Sequence, residues 1–251
     1  MMARRYYIGI DGGTESVRAG VFDAAGRPVA FAAEPYATRF ERPGWAEQDP
    51  EEWWRALCRA VPAALAAANV APSEIVGMGV DTTSCTVVTL GADHRPLRPA
   101  ILWMDVRASE QAARILASGH AALGVNGDGH GPLSAEWFLP KTLWVKDNQP
   151  RVYDAAAVFC EYQDYINYRL TGRMVASIDN VSIRWHYDSE NGGFRADFLQ
   201  AIGLGDLLPK LPKEVIPLGA VVGGLRPDVA EEFGLPAGIP APRGKFHDGR
   251  I

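Results

Sequence analysis

The sequence predicts an α/β fold in which helices cover both faces of a mixed β-sheet. The chain opens with three short apolar segments separated by turns, which is the pattern of an antiparallel meander. From residue 49 onward, strand patterns alternate with amphipathic helix patterns, which indicates strands connected through helices. The two patterns together favour one sheet that contains both antiparallel and parallel strands.

Each strand of the meander has its own signal. Residues 6–11 form an apolar run that ends at Gly12 and Gly13, as a buried strand before a tight turn does. Residues 16–23 alternate polar and apolar side chains, which is typical of a half-buried partner strand. A second turn at residues 23–26 precedes the third predicted strand, at 28–36.

The following segments predict alternating helices and strands. A helix is expected over residues 49–68, because Asp49 is a favourable N-cap, Pro50 suits the first helical position and acidic residues fill the first turn. Strands are predicted at 75–80, 86–90, 100–104 and 220–222, and helices near 107–117, 135–147, 162–170 and 226–233. The glycine-rich residues 124–132 predict a loop.

Composition excludes several classes of function. The chain has 251 residues, a formal net charge of −5 and no run of Lys or Arg, so nothing indicates nucleic-acid binding. Its three cysteines lack the spacing of a zinc site or a disulfide framework, which fits a reducing cytosol. No apolar run approaches the roughly 18 residues of a membrane span. A cytoplasmic protein without a membrane segment is therefore expected.

The turn after the first strand carries the first chemical signal. Gly12 and Gly13 allow backbone N–H groups to approach an anion closely, and the hydroxyls of Thr14 and Ser16 can donate to it. Asp11, at the end of the strand, is suited to hold a hydrated Mg²⁺ beside phosphates. The chain has no GxxxxGK[ST] loop, so this is not a Walker A site. A plain hairpin turn explains the same residues, and both interpretations stay open on local sequence.

Several ordered segments together resemble the FGGY family of carbohydrate kinases, in its ribulokinase-like branch. They are the turn at 11–18, PGWAEQDPEEWW at 43–54, GMGVDTTSC at 77–85, ILWMDVRA at 101–108 and LTG at 170–172. The resemblance implies a ribonuclease H-like fold, as in actin, Hsp70 and sugar kinases, with a five-stranded mixed sheet and helices on both faces. It further implies a sugar-binding N-terminal domain over 1–240, a divergent tail at 241–251 and an absent C-terminal ATP-binding domain.

The resemblance also implies roles for individual residues. The residues expected to face the phosphates of ATP are Asp11, Gly12, Gly13, Thr14, Ser16 and Arg18, with Asp11 holding Mg²⁺ through water. The residues expected to contact the sugar are Thr83, Ser84, Cys85, Asp105, Arg107, Glu136 and Arg184, and Trp137 supplies an apolar wall. Two structural alternatives remain open: a salt-bridged helix start at Asp105 and Arg107, and a helix-opening glutamate at Glu136. Trp103 is expected to be buried.

The predicted function is ATP-dependent phosphorylation of a sugar hydroxyl, on a pentulose such as ribulose or on a polyol, with Mg²⁺ and an aspartate base. The family pattern places that base near Asp248, but one residue earlier, where His247 stands. Because the family pattern of the catalytic segment is lost around these two residues, a non-catalytic sugar-binding module is the alternative function. The expected partner is a small-molecule sugar, with no nucleic acid and no membrane, and a homodimer stays open.

Overall fold

The computed structural model describes residues 4–126 and 133–243 as strands packed with helices. The strands are β1 (Tyr6–Gly12), β2 (Ser16–Asp23), β3 (Pro28–Pro35), β4 (Glu47–Gln48), β5 (Ile75–Thr82), β6 (Val87–Leu90), β7 (Ala100–Ile101), β8 (Val158–Glu161), β9 (Ala176–Ser177), β10 (Val215–Ile216), β11 (Val221–Gly224) and β12 (Pro240–Arg243). The α-helices are α1 (Pro50–Ala68), α2 (Ser109–Ala117), α3 (Phe138–Asn148), α4 (Pro150–Ala155), α5 (Tyr162–Thr171), α6 (Ile178–Arg184), α7 (Ala196–Ala201) and α8 (Pro227–Phe233).

The main sheet is mixed, as the sequence predicts, and has the strand order β11-β12-β5-β1-β2-β3. The meander is confirmed, because β1 pairs antiparallel with β2, and β2 with β3. Strand β5 lies parallel to β1 on the other side, and β12 lies parallel to β5. The sheet has six strands rather than five, because the short β11 adds an antiparallel edge strand to β12.

Helix α1 begins where the sequence predicts and packs on the meander. The carboxylate of Asp49 accepts a hydrogen bond from the amide of Glu51 at 3.0 Å, which confirms Asp49 as the N-cap. The buried Trp53 of α1 stacks on Tyr162 of α5, with 3.8 Å between ring centroids, so both helices share one core. On the opposite face of the sheet, Tyr7 and Phe31 are 39% and 61% exposed. Helix cover is therefore observed on one face of the meander.

A second layer is built on the sheet of order β4-β7-β6-β8. Its core includes the stacked rings of Phe138 and Trp185, whose centroids lie 3.6 Å apart. The strand predicted at 100–104 is shorter than expected, because the amide of Asp105 bonds to the carbonyl of Leu102 and the chain turns there. That turn exposes Trp103 to 40%, so the prediction that Trp103 is buried is wrong.

Some features outside the sheets bear on the sequence-based exclusions. Within residues 4–126 and 133–243, no helix has the length and apolar character needed to cross a membrane. Cys58, Cys85 and Cys160 are free thiols. Of the predicted loop at 124–132, residues 127–132 lie outside the described part of the chain, and residues 121–126 form a 3₁₀ turn.

Candidate sugar and phosphate site

The predicted phosphate turn connects β1 to β2. Strand β1 ends at Gly12 and β2 begins at Ser16, and the amide of Gly13 donates to the carbonyl oxygen of Ser16 at 3.0 Å. Directly before the turn, Asp11 and Arg18 face each other across the two strands and form an ion pair, with 2.8 Å between Oδ2 and Nη2. Both side chains are about half exposed, so the turn presents a carboxylate and a guanidinium to solvent.

Two side chains that the sequence analysis did not single out hold this turn in place. The hydroxyl of Tyr36 donates to the carbonyl oxygen of Gly13 at 2.5 Å. Burial raises the pKa of Tyr36 to about 12, so the hydroxyl keeps its proton and remains a donor at neutral pH. The amide nitrogen of Gln48 donates to the carbonyl oxygen of Thr14 at 2.7 Å. The shape of the turn is therefore fixed before any ligand binds.

A pocket of about 470 Å³ lies beside the phosphate turn. It is lined by Thr83, Ser84, Cys85, Trp103, Glu136, Trp137, Ile183 and Arg184. These residues come from the segment after β5, the turn after β7, the start of α3 and the end of α6. The fold thus brings together five of the seven residues predicted to contact the sugar, although they are spread over about a hundred positions of sequence.

Two hydrogen bonds connect the pocket to the phosphate turn. The amide of Thr83 donates to the carbonyl oxygen of Gly12 at 3.0 Å, because β5 and β1 are neighbouring parallel strands whose carboxyl ends meet. The indole nitrogen of Trp103 donates to the hydroxyl oxygen of Thr14 at 3.1 Å. The turn and the pocket consequently form one continuous site, with Trp103 as their shared wall.

The far wall of the pocket combines an aromatic surface with charge. The guanidinium of Arg184 lies over the ring of Trp137, 5.0 Å from its centroid. The carboxylate of Glu136 accepts a hydrogen bond from the hydroxyl of Ser134 at 3.2 Å. On the near wall of the pocket, burial raises the pKa of the Cys85 thiol to about 12, and the charge of Glu161 adds to this effect. Cys85 is therefore a neutral wall residue and not a nucleophile.

The structure places Asp105 and Arg107 in the core and not among the residues that line the pocket, although the sequence predicts them as sugar contacts. Both side chains are fully buried, with 2.7 Å between Arg107 Nη2 and Asp105 Oδ2. Arg107 also pairs with Glu47 at 2.7 Å and lies over the ring of Trp45, 3.8 Å from its centroid. Asp105 accepts a hydrogen bond from the amide of Ala46 at 2.6 Å. The two residues hold the segment at 46–47 in the core. This supports the alternative interpretation, in which Asp105 and Arg107 form a structural salt bridge.

The donor set near the turn suits a hydrated Mg²⁺. Asp81 is the register partner of Asp11 on the neighbouring parallel strand, and both stand at the strand ends beside the turn. Two carboxylates with water and phosphate oxygens are the environment that Mg²⁺ usually takes. In the described part of the chain, no cluster of three or more His, Cys, Asp or Glu side chains offers a protein-only metal site. Asp248 lies outside the described residues.

His186 lies behind the pocket wall that Trp137 forms. Its ring is buried between Trp137 and Phe198, at centroid distances of 5.6 and 5.2 Å. Burial lowers the pKa of His186 to about 4, so the imidazole is neutral in the folded protein near neutral pH. Its φ of 56° is in the left-handed region, which Asn adopts more readily than most residues.

We expect His186 to make the protein less stable in mild acid. Between pH 6.5 and 5 the unfolded chain binds a proton at this imidazole and the folded chain does not, so stability falls as the pH falls. At pH 5 the free energy of unfolding is lower by about 2 kcal/mol, since each pH unit below the pKa of the unfolded chain contributes about 1.4 kcal/mol. Urea unfolding of the wild type and of His186→Asn at both pH values measures it. The same pH dependence in both proteins would contradict the prediction.

Comparison with known proteins identifies the family. The profile of the N-terminal domain of the FGGY family of carbohydrate kinases matches residues 6–249. A human FGGY carbohydrate kinase domain-containing protein is 34% identical over 250 residues, which cover 94% of this chain and 44% of that protein. A ribulokinase of Geobacillus thermodenitrificans is 30% identical over 264 residues, which cover 93% of this chain and 46% of the relative. This chain spans about half the length of these relatives.

Solved structures agree in fold. A xylulose kinase from Rhodospirillum rubrum superposes with a TM-score of 0.86 at 28% identity, over 96% of this chain and 49% of that one. A Brucella ovis structure described as a xyloylose kinase superposes with a TM-score of 0.84 at 29% identity, over 96% of this chain and 49% of that one. These neighbours are sugar kinases of the actin and Hsp70-like fold, which confirms the predicted fold class. Because the family profile spans nearly all of its residues, this chain belongs to the FGGY family of carbohydrate kinases.

Proposed function

We propose that this chain is the sugar-binding part of an ATP-dependent kinase that phosphorylates a pentulose, such as ribulose, or a polyol. The observation that supports it most directly is the continuity of the pocket with the phosphate turn, through Thr83 and Trp103. A hydroxyl of a sugar in the pocket would lie next to phosphates held by the turn. The ribulokinase-like branch, the domain boundary at residue 240, a cytoplasmic location and a homodimer remain predictions.

The chemistry of the pocket suits a small polyhydroxylated ligand. Its volume of about 470 Å³ is within the range of small-molecule sites, which is roughly 300–1,000 Å³. Trp103 and Trp137 supply flat apolar surfaces, on which the C–H faces of a sugar can pack. Glu136 accepts hydrogen bonds from hydroxyl groups and Arg184 donates them, so the pocket holds both kinds of polar partner.

Phosphoryl transfer depends mainly on positioning and on neutralising charge. In this chain the turn that begins at Gly12 and Gly13, with the hydroxyl of Thr14, would bind phosphate oxygens, and Arg18 adds positive charge beside them. Asp11 and Asp81 would hold Mg²⁺ through water, and the ion would neutralise charge on the phosphates of ATP. We propose Asp248 as the base that accepts the proton of the sugar hydroxyl.

A binding experiment tests the sugar site. In calorimetric titrations of the purified chain with ribulose, xylulose and ribitol, we expect at least one to bind. Trp103→Ala is expected to weaken that binding at least about tenfold, because an aromatic wall contributes about 1.5–3 kcal/mol. Phe31→Ala is a matched control, since Phe31 is an exposed aromatic residue on the open face of the sheet. Equal losses in both variants, or no binding by the wild type, would contradict the proposed site.

A non-catalytic sugar-binding module is the second candidate, and the observation that favours it is that His247 stands where the family pattern places the catalytic aspartate. Release of ADP from Mg²⁺-ATP separates the two functions. Release that increases when the bound sugar is added supports the kinase. Sugar binding without any sugar-dependent release of ADP by this chain favours the binding module.

A further inference from the structure

Lys141 is a fully buried lysine beneath the sugar pocket, and the proposed function does not use it. It lies on α3, and its ammonium group donates to the carbonyl oxygens of Cys85 at 2.8 Å, Leu102 at 2.6 Å and Trp103 at 3.3 Å. A lysine ammonium has three N–H donors, so all of them have a backbone acceptor here. The three carbonyls belong to the two segments that form the near wall of the pocket.

Glu161 approaches the same place from the other side. It is fully buried, and its Oε2 accepts a hydrogen bond from the amide of Cys85 at 2.9 Å. Its Oε1 accepts another from the indole nitrogen of Trp185 at 2.6 Å, which fixes the direction of the carboxylate. The N–H and the C=O of Cys85 are therefore held by two buried side chains of opposite charge, Glu161 and Lys141.

The backbone of Cys85 needs such support. Its φ of 62° is in the left-handed region, which is unfavourable for a residue with a Cβ. A residue persists there only when the surrounding structure over-determines its conformation. Buried charges are themselves costly, and burial lowers the pKa of Lys141 to about 8. An ordinary core does not need a lysine and a glutamate at this place, whereas a pocket that must keep one shape does.

We propose that Lys141 and Glu161 are positioning residues for the sugar. Together they hold Cys85 in its left-handed conformation, and Lys141 also holds the carbonyls next to Trp103. They thereby keep Ser84, Cys85 and the Trp103 wall at the spacing that binds a small polyol, before the ligand arrives. The inference rests on the proposed sugar site, and it assigns a cause for the shape of that site.

The test compares two lysines of the same helix by calorimetry with the ketose or polyol that the wild type binds. Lys141→Met removes the ammonium group and keeps a long apolar side chain, and we expect it to weaken binding at least tenfold. Lys146→Met is the matched control, because Lys146 also donates to a backbone carbonyl, that of Gly203 at 2.8 Å, but away from the pocket. We expect less than a twofold change for Lys146→Met.

A second arm separates positioning from general stability. Glycine adopts positive φ freely, so the pocket backbone should need the lysine less when residue 85 is glycine. In a Cys85→Gly background, Lys141→Met is expected to weaken binding less than threefold. If Lys141 only stabilised the fold, Lys141→Met would weaken sugar binding equally in both backgrounds. That result would overturn the proposal. So would unchanged binding by Lys141→Met.

Crystal structures provide a readout that needs no ligand. In Lys141→Met, or in Glu161→Leu if the first variant does not fold, we expect residue 85 to leave the left-handed region. Retention of a φ near 60° in the folded variant would overturn the proposal. If the wild type binds no sugar, the proposed function fails, and this conformational result still decides whether Lys141 and Glu161 hold Cys85.

Discussion

Replacing Arg107 with methionine is expected to lower the free energy of unfolding by about 3–5 kcal/mol, because it leaves the buried carboxylate of Asp105 without its cation. Asp105 would keep two backbone amides as donors, those of Ala46 and of residue 107, but would lose its ion pair, and Glu47 would keep its ion pair with Arg98. Methionine is about as long as the apolar stem of Arg107, although it lacks the guanidinium that lies over the ring of Trp45. The expected loss is therefore electrostatic, and it does not arise from a large cavity.

Urea unfolding followed by circular dichroism measures this effect. Arg114→Met is the matched control, because Arg114 forms an ion pair with Asp147 on the surface and is 49% exposed. Exposed pairs contribute about 0–1 kcal/mol, so the control should change stability little. Adding Asp105→Asn to Arg107→Met should recover part of the loss. The opposite pattern, with intact stability and weakened sugar binding in Arg107→Met, would restore the original hypothesis that Arg107 contacts the sugar.

Gly12→Val is expected to destabilise the protein by about 3 kcal/mol and to abolish phosphate binding at the turn. A Cβ added at Gly12 would lie 2.8 Å from Cζ and 2.9 Å from Cε1 of Tyr162, closer than real contacts allow. Tyr162 cannot withdraw, because it is buried and stacked on Trp53. The turn must therefore shift, and its amides move with it.

Gly13→Val provides the comparison for stability. A Cβ at Gly13 would lie 3.2 Å from the end of the flexible, exposed Arg18 side chain and 3.3 Å from the carbonyl oxygen of Ser16. We expect the smaller loss of stability here, measured by urea unfolding of both variants. Binding of ATP with Mg²⁺, measured by calorimetry, should be lost in Gly12→Val. If Gly12→Val is as stable as Gly13→Val, the packing described for Tyr162 is wrong.

The sequence was most informative where local chemistry determines structure. The turn after β1 requires glycine, and Asp49 with Pro50 defines the start of α1, so both could be predicted without knowledge of the fold. The ordered motifs also identified five residues of the pocket. These predictions rest on neighbouring residues or on the resemblance to a family, and neither depends on knowing which distant segments touch.

The sequence is least informative where distant segments meet. Asp105 and Arg107 look like exposed polar residues after a tryptophan, and only contact with the segment at Glu47, about 60 positions earlier, buries them. Lys141 stands in a helix whose pattern does not mark it as buried, since its partners are carbonyls from two other segments. No local pattern distinguishes a buried charge with partners from an exposed one.

Gln48 has a consequence for how natural variants of this protein are judged. Its Oε1 accepts from the indole of Trp53 at 2.8 Å, so its NH₂ group must point at the carbonyl of Thr14 and the hydroxyl of Thr38. Glutamate has nearly the same size as glutamine, and the codons of the two residues differ by one nucleotide. A substitution matrix therefore scores the exchange as mild. At this position a carboxylate oxygen of glutamate would face the carbonyl oxygen of Thr14 beneath the phosphate turn. A classification of variants by residue similarity alone would therefore misjudge the exchange.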